Sequence, residues 1–100
     1  MGTSSGQPDS ATGQVRLRYW ASARAAAGVE EDVIDVTGST SLEALSGRAK
    51  DLHASSARFA AVLDTCSILV GDRPVASERP ETVLVEPGQT VEFLPPFAGG

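Results

Sequence analysis

The sequence predicts an α+β roll, a mixed sheet wrapped around one main helix. Three observations carry that prediction. Val15 to Trp20 and Thr90 to Leu94 alternate apolar with other side chains, as half-buried strands do. In the middle of the chain Leu42, Leu45, Ala49 and Leu52 recur at helical spacing. The element order is strand, short helix, strand, main helix, strand, weak strand, strand. It leaves strands on both sides of one helix, whose apolar stripe must be buried against a sheet. A chain of 100 residues fits one domain with one small core.

Residues 1–14 are rich in Gly, Ser, Thr and Pro, without apolar periodicity, and read as a disordered extension. The folded domain is expected over residues 15–94 and a flexible tail over 95–100. In the first strand Val15, Leu17 and Tyr19 share one face; Arg16, Arg18 and Trp20 share the other. The alanine-rich run from Ser22 to Ala27 ends at Gly28, which suits a short helix with a glycine cap. Asp32 to Thr37 follows as a second strand with Val33, Ile34 and Val36.

Thr40-Ser41-Leu42-Glu43 has capping-box spacing, with Glu43 placed to reach back to the Thr40 N–H. Gly47 costs the main helix roughly 1 kcal/mol against alanine; close packing on the sheet would explain it. Phe59, Val62 and Leu63 mark a second helical piece. Cys66 to Val70 reads as a strand with Cys66, Ile68 and Val70 on one face, followed by a turn at Gly71–Pro74. Thr82 to Val85 reads as an edge strand and Pro87-Gly88 as a turn. In the last strand Val91 and Phe93 face inward, Glu92 and Leu94 outward.

The net charge is −5. That argues against nucleic-acid binding, which needs a clustered basic surface, and suits solubility or a basic partner. One cysteine, Cys66, allows no internal disulfide. No apolar run has membrane-spanning length, and the first residues lack a secretory signal. The expected setting is cytoplasmic, with no membrane contact. Cys66 and His53 show no metal-ligand spacing, so no metal site is expected. Cys66 reads as a core residue rather than a reactive thiol, and His53 as a solvated helix-end residue rather than a general base. No phosphate loop or nucleophile elbow occurs.

The sequence closes on Pro95-Pro96-Phe97-Ala98-Gly99-Gly100. Two prolines end ladder pairing and hold the backbone extended. After Phe97 only small residues follow, so the segment tapers from stiff to apolar to thin. Glycine is costly to order. A terminal pair is useful where the backbone must thread a narrow channel and offer its carboxylate. If the first and last strands are neighbours, Trp20, Leu94 and Phe97 form an apolar patch beside the tail, of the kind that marks partner contacts; otherwise Trp20 covers a sheet edge. Arg24, the one charge in the short helix, suits an acidic partner group or plain solvation.

The segment RYWASARAAAG and the ending VEFLPPFAGG resemble the small sulfur-carrier subunit of molybdopterin synthase. The likeness spans residues 15 to 100. It implies a ubiquitin-like β-grasp fold. It further implies that Gly100 is activated as an acyl adenylate by an ATP-using, ubiquitin-activating-type adenylyltransferase and sulfurtransferase, then converted to a thiocarboxylate. The tail, with Gly99 in it, would insert into the large synthase subunit of a heterotetramer. Trp20, Arg24, Leu94, Pro95, Pro96, Phe97 and Ala98 would meet partners. Catalytic groups would belong to those partners, and the chain itself would bind no cofactor. Carriers for thiamine, cysteine or tRNA thiolation share Gly-Gly, as do ubiquitin-like modifiers, and both remain alternatives. The stretch from Arg73 to Pro87 is longer and richer in proline than the family suggests.

Overall fold

The computed structural model describes residues 12–75 and 78–96. Its elements are β1 (Thr12–Tyr19), α1 (Ala21–Ala27), β2 (Glu31–Thr37), β3 (Thr40–Ser41), α2 (Leu42–Leu52), α3 (Phe59–Asp64), β4 (Ser67–Val70), β5 (Arg73–Pro74), a 3-10 turn (Pro80–Thr82), β6 (Leu84–Val85) and β7 (Thr90–Leu94). Five strands form a mixed sheet in the order β2-β1-β7-β4-β5. β1 and β7 run parallel at its centre, with Leu17 beside Val91 and Tyr19 beside Phe93. β3 and β6 pair apart from it as a two-stranded ladder. Helix α2 packs across the sheet, as expected for the roll.

The alternation in β1 and β7 works as anticipated. Val15, Leu17, Tyr19, Val91 and Phe93 are buried, with Leu42, Leu45 and Ala49 of α2 and Phe59 and Leu63 of α3 in the same core. Burying each such side chain contributes about 1.5–3 kcal/mol. Tyr19 anchors an aromatic cluster, stacked on Phe93 at 5.8 Å and edge-on to Phe59 at 5.3 Å between centroids. Gly28 caps α1 at φ 79°, and its N–H reaches the Arg24 carbonyl at 2.9 Å. That left-handed geometry favours glycine.

Several expectations are corrected. β1 begins at Thr12, three residues before the expected Val15, so Thr12–Gln14 belong to the sheet rather than to an extension; residues 1–11 lie outside the described part. The helix cap is Ser41, not Thr40: the Ser41 hydroxyl accepts from the Ala44 N–H at 3.0 Å. Thr40 is taken up by the ladder with Val85, so Glu43 has no box to close. Leu52 is 55% exposed. The stripe of α2 runs Leu42, Leu45, Ala49 and then His53, one residue past Leu52, because 3.6 residues per turn carries the buried face there. Gly47 is exposed, and a Cβ there would meet nothing within 4 Å, so sheet packing does not explain it. Cys66 precedes β4 instead of opening it. The expected edge strand at Thr82–Val85 shrinks to Leu84–Val85, because Pro80–Thr82 coils as a 3-10 turn. The expected turn at Gly71–Pro74 gives its last two residues to β5.

Candidate functional site

The place where β7 leaves the sheet is built from three elements. β1 and β7 lie side by side, so their outward residues share one face in the rows Arg16–Thr90 and Arg18–Glu92. β4 flanks the other side of β7 and sets Ser67 opposite Leu94 and Leu69 opposite Glu92. Beyond Leu94 the backbone passes into Pro95 and Pro96, outside any ladder. Neither proline has an N–H to offer a neighbouring strand. Phe97, Ala98, Gly99 and Gly100 lie outside the described residues.

Trp20 stands beside this exit. It is the N-cap of α1, just past the end of β1, with extended backbone. Its N–H donates to the Phe93 carbonyl at 3.2 Å, one residue before Leu94. Ala21 turns the chain into α1 through φ 50°, an uncommon angle for a residue with a Cβ. The indole stays 38% exposed. Its Nε1–H donates to Glu92 Oε1 at 3.0 Å, and the Arg18 guanidinium lies 5.1 Å from the ring centroid. A cation at that distance is attracted to the ring face. Arg18 also lies 3.8 Å from Glu31.

The pairing of first and last strands thus brings Trp20 beside the Leu94 end of β7, as the sequence suggested. Of the expected patch of Trp20, Leu94 and Phe97, the last lies outside the described residues, and Trp20 is held by Glu92 and Arg18. Leu94 and Pro95 are half-buried and Pro96 is exposed. Arg24 is exposed on α1, with Ala21, Ala25, Gly28, Val29 and Glu30 around a shallow open hollow. Among the described residues it has no ion-pair partner, and it lies apart from the Trp20 clasp. Two further residues of this site, Arg18 and Glu92, do not stand out in the sequence as partners of Trp20. Arg18 had a signal, since residues two apart on a strand share a face; Glu92 required the β1–β7 register.

A second cluster lies on the inner face. Asp32 Oδ2 accepts from the Tyr19 hydroxyl at 2.8 Å and meets His53 Nε2 at 2.6 Å. A carboxylate oxygen only accepts, so His53 carries its proton on Nε2. The imidazole packs on Phe59 with centroids 4.7 Å apart and edge-on to Tyr19 at 5.7 Å. Its side chain is 13% exposed. His53 is therefore a tethered core-margin residue, not a solvated helix end. It caps α2, and the bend after the helix lays it over β2. Burial, the hydrogen bond to Asp32 and the Asp32 charge together hold the Tyr19 phenol protonated, well above its ordinary range.

Cys66 is half-buried against the core, and its Sγ lies 3.4 Å from the Val62 carbonyl. Burial pushes its thiol up to about 11, which disfavours the thiolate that reactivity requires. Among the described residues no group of three His, Cys, Asp or Glu side chains is placed to hold a metal ion. No described helix is long and apolar enough to cross a membrane.

Neither a family model nor a curated protein matches the chain. Solved structures do. A putative molybdopterin converting factor subunit 1 from Pyrococcus furiosus superposes with a TM-score of 0.67 at 24% identity, over 85% of this chain and 99% of that one. SAMP1 from Haloferax volcanii gives a TM-score of 0.71 at 17% identity, over 88% of this chain and all of the other. The small archaeal modifier protein 1 of Methanosarcina acetivorans gives 0.67 at 16% identity, over 90% and 99%. The mixed five-stranded sheet gripping α2 is the β-grasp, ubiquitin-like fold of these structures.

Proposed function

We propose that this chain is a sulfur carrier that works through its Gly-Gly tail, most specifically as the small subunit of molybdopterin synthase. The observation that carries the reading is the exit of β7. A strand held on both sides runs out through Leu94, Pro95 and Pro96 towards Gly99-Gly100, with Trp20 fixed at the root. Such a mount suits a terminus that acts as a reagent inside a partner. The P. furiosus neighbour bears the name of a molybdopterin converting factor subunit, which supports the same direction.

The Gly100 carboxylate attacks the α-phosphate of ATP on the activating enzyme, and pyrophosphate leaves. The terminal sulfur of a cysteine persulfide on a sulfurtransferase attacks the acyl carbon and expels AMP, giving an acyl disulfide. A second thiol then attacks the cysteine sulfur, forms a disulfide with it and releases the Gly100 thiocarboxylate. In the large synthase subunit this sulfur replaces an oxygen on a carbon of a cyclic pyranopterin phosphate, and water cleaves the C–S bond to Gly100, restoring the carboxylate. Two loaded carriers supply the two sulfurs of one dithiolene. Adenylation is needed because a carboxylate is a poor electrophile until one oxygen becomes a good leaving group. The tail contributes proximity once seated. The activating enzyme and the large subunit are the partners; ATP is the activating enzyme's substrate. The setting is cytoplasmic, with no nucleic acid or membrane involved.

A second reading is favoured by the two neighbours named as modifier proteins: Gly100 would be joined to lysine amines of other proteins. Intact mass of the chain after incubation with ATP, a sulfur donor and the activating enzyme separates the two. Replacement of one oxygen by sulfur at Gly100 is expected for a carrier. Adducts to other proteins without that replacement would establish the modifier instead. Deleting Gly100 should abolish loading and leave thermal unfolding unchanged; a lowered unfolding midpoint would show that the tail serves the fold.

A further inference from the structure

We propose that the free edge of β2 receives an extended, basic strand from a partner protein. β2 lies at one margin of the sheet, with β1 on its inner side. The phase of the ladder follows from three hydrogen bonds. Tyr19 N–H donates to the Glu30 carbonyl at 2.9 Å, while Arg16 and Trp20 donate towards β7, to the carbonyls of Gln89 and Phe93. Odd-numbered residues of β1 therefore bond β2, and even-numbered ones bond β7. Since Val15 lies opposite Ile34 and Leu17 opposite Asp32, the even residues of β2 are engaged with β1. The N–H and C=O groups of Glu31, Val33, Asp35 and Thr37 point away from the sheet. Such a row is a template for another strand.

Charge selects the occupant. No Lys or Arg occurs between Arg24 and Arg48, a stretch that holds Glu30, Glu31, Asp32 and Asp35. Glu31 is paired with Arg16 and Asp32 with His53. Asp35 accepts from the neutral Gln14 amide at 3.0 Å, so its charge is uncompensated among the described residues. Between Glu31 and Asp35 on the outer face, Val33 is 45% exposed. A second copy pairing antiparallel would suffer. Centred on Val33 it sets Glu31 opposite Asp35; centred on Asp35 it sets that residue opposite itself; centred on Ile34 it makes the two Asp35 diagonal neighbours. Like charges so placed are destabilising. Residues 1–11 offer no Lys or Arg either. A strand with basic side chains at alternate positions sets a cation opposite Asp35, the carboxylate without an ionic partner among the described residues; Glu31, two rungs away on the same face, is already shared by Arg16 and Arg18. β1 separates this edge from β7, so the inference stands apart from the chemistry of the tail.

The test is a titration of the full isotope-labelled chain with a capped heptapeptide alternating lysine and valine. The amides of Glu31, Val33, Asp35 and Thr37 should shift and their hydrogen exchange should slow. The same peptide N-methylated at its two central lysine amides keeps its charge and loses two donors, and it should bind roughly tenfold more weakly or worse. A glutamate–valine peptide should not bind. Asp35→Lys should weaken the lysine peptide while leaving the rest of the spectrum in place. The proposal is overturned if those four amides do not respond, or if the N-methylated peptide binds equally well. It is also overturned if the edge is already protected in the free chain. Protection that depends on concentration would mark a second copy as occupant. Protection lost on deleting residues 1–11 would mark the chain's own start.

Discussion

Tyr19 and Trp20 are neighbours in sequence and opposites in circumstance. Each gives its polar hydrogen to an acidic side chain, Tyr19 to Asp32 and Trp20 to Glu92. Tyr19 is 2% exposed and packs among Phe93, Phe59 and His53. Trp20 is 38% exposed and packs on Arg18. The difference follows from one step along a strand, which reverses the face a side chain takes. The inner residue holds the scaffold together. The outer one is pre-positioned, its rotamer already fixed, so that a partner covering it would lose little side-chain entropy.

Tyr19→Ala should break the inner half of this comparison. Losing an aromatic from a closed core costs about 3–5 kcal/mol, and Asp32 would keep only His53. Chemical denaturation should show it; a loss under about 1 kcal/mol would mean that Tyr19 is no keystone. Trp20→Asp tests the outer half. Removing its apolar contact should weaken association with the proposed partner subunit by about 2 kcal/mol, roughly thirtyfold, with the chain still folded. Unaltered affinity by calorimetry would take Trp20 out of the interface.

Two smaller effects sharpen the same contrast between packed and open positions. Gly47→Ala should stabilise the chain by about 1 kcal/mol, since the site is an open helix interior. A destabilised variant would point to a packing role unseen in the fold. Cys66, packed against the core, has its thiol raised by burial from 9.0 to about 11. The unfolded chain loses that proton first, so this contribution to stability is complete below pH 9.0 and is lost as pH rises through about 11. Tyr19, shifted the same way, adds to the sign. Cys66→Ala should flatten the alkaline fall in stability, and an identical pH profile would contradict the assignment.

The strands that carry the core were legible because their period is two and their turn residues are strong. Val15, Leu17, Tyr19, Val91 and Phe93 all take the predicted face. The tail root was legible for the same reason: two prolines after an alternating strand admit few structures. What stayed hidden depends on register and on the third dimension. Ser41 rather than Thr40 is the cap because the ladder with Leu84–Val85, more than 40 positions away, keeps the backbone extended through Ser41 and lets the helix start only at Leu42. His53 met Asp32 across 21 positions, a meeting no local pattern encodes. Glu92 joined Trp20 across 72.

The parallel course of β1 and β7 has a mechanical consequence. Force applied along the end of β7 runs lengthwise against its bonds to both flanking strands, so the load is shared among them and they are sheared together. A hairpin at the margin would instead open one rung at a time. If the proposed carrier role holds, pulling on the end of β7 as it leaves a partner would leave the body of the molecule whole.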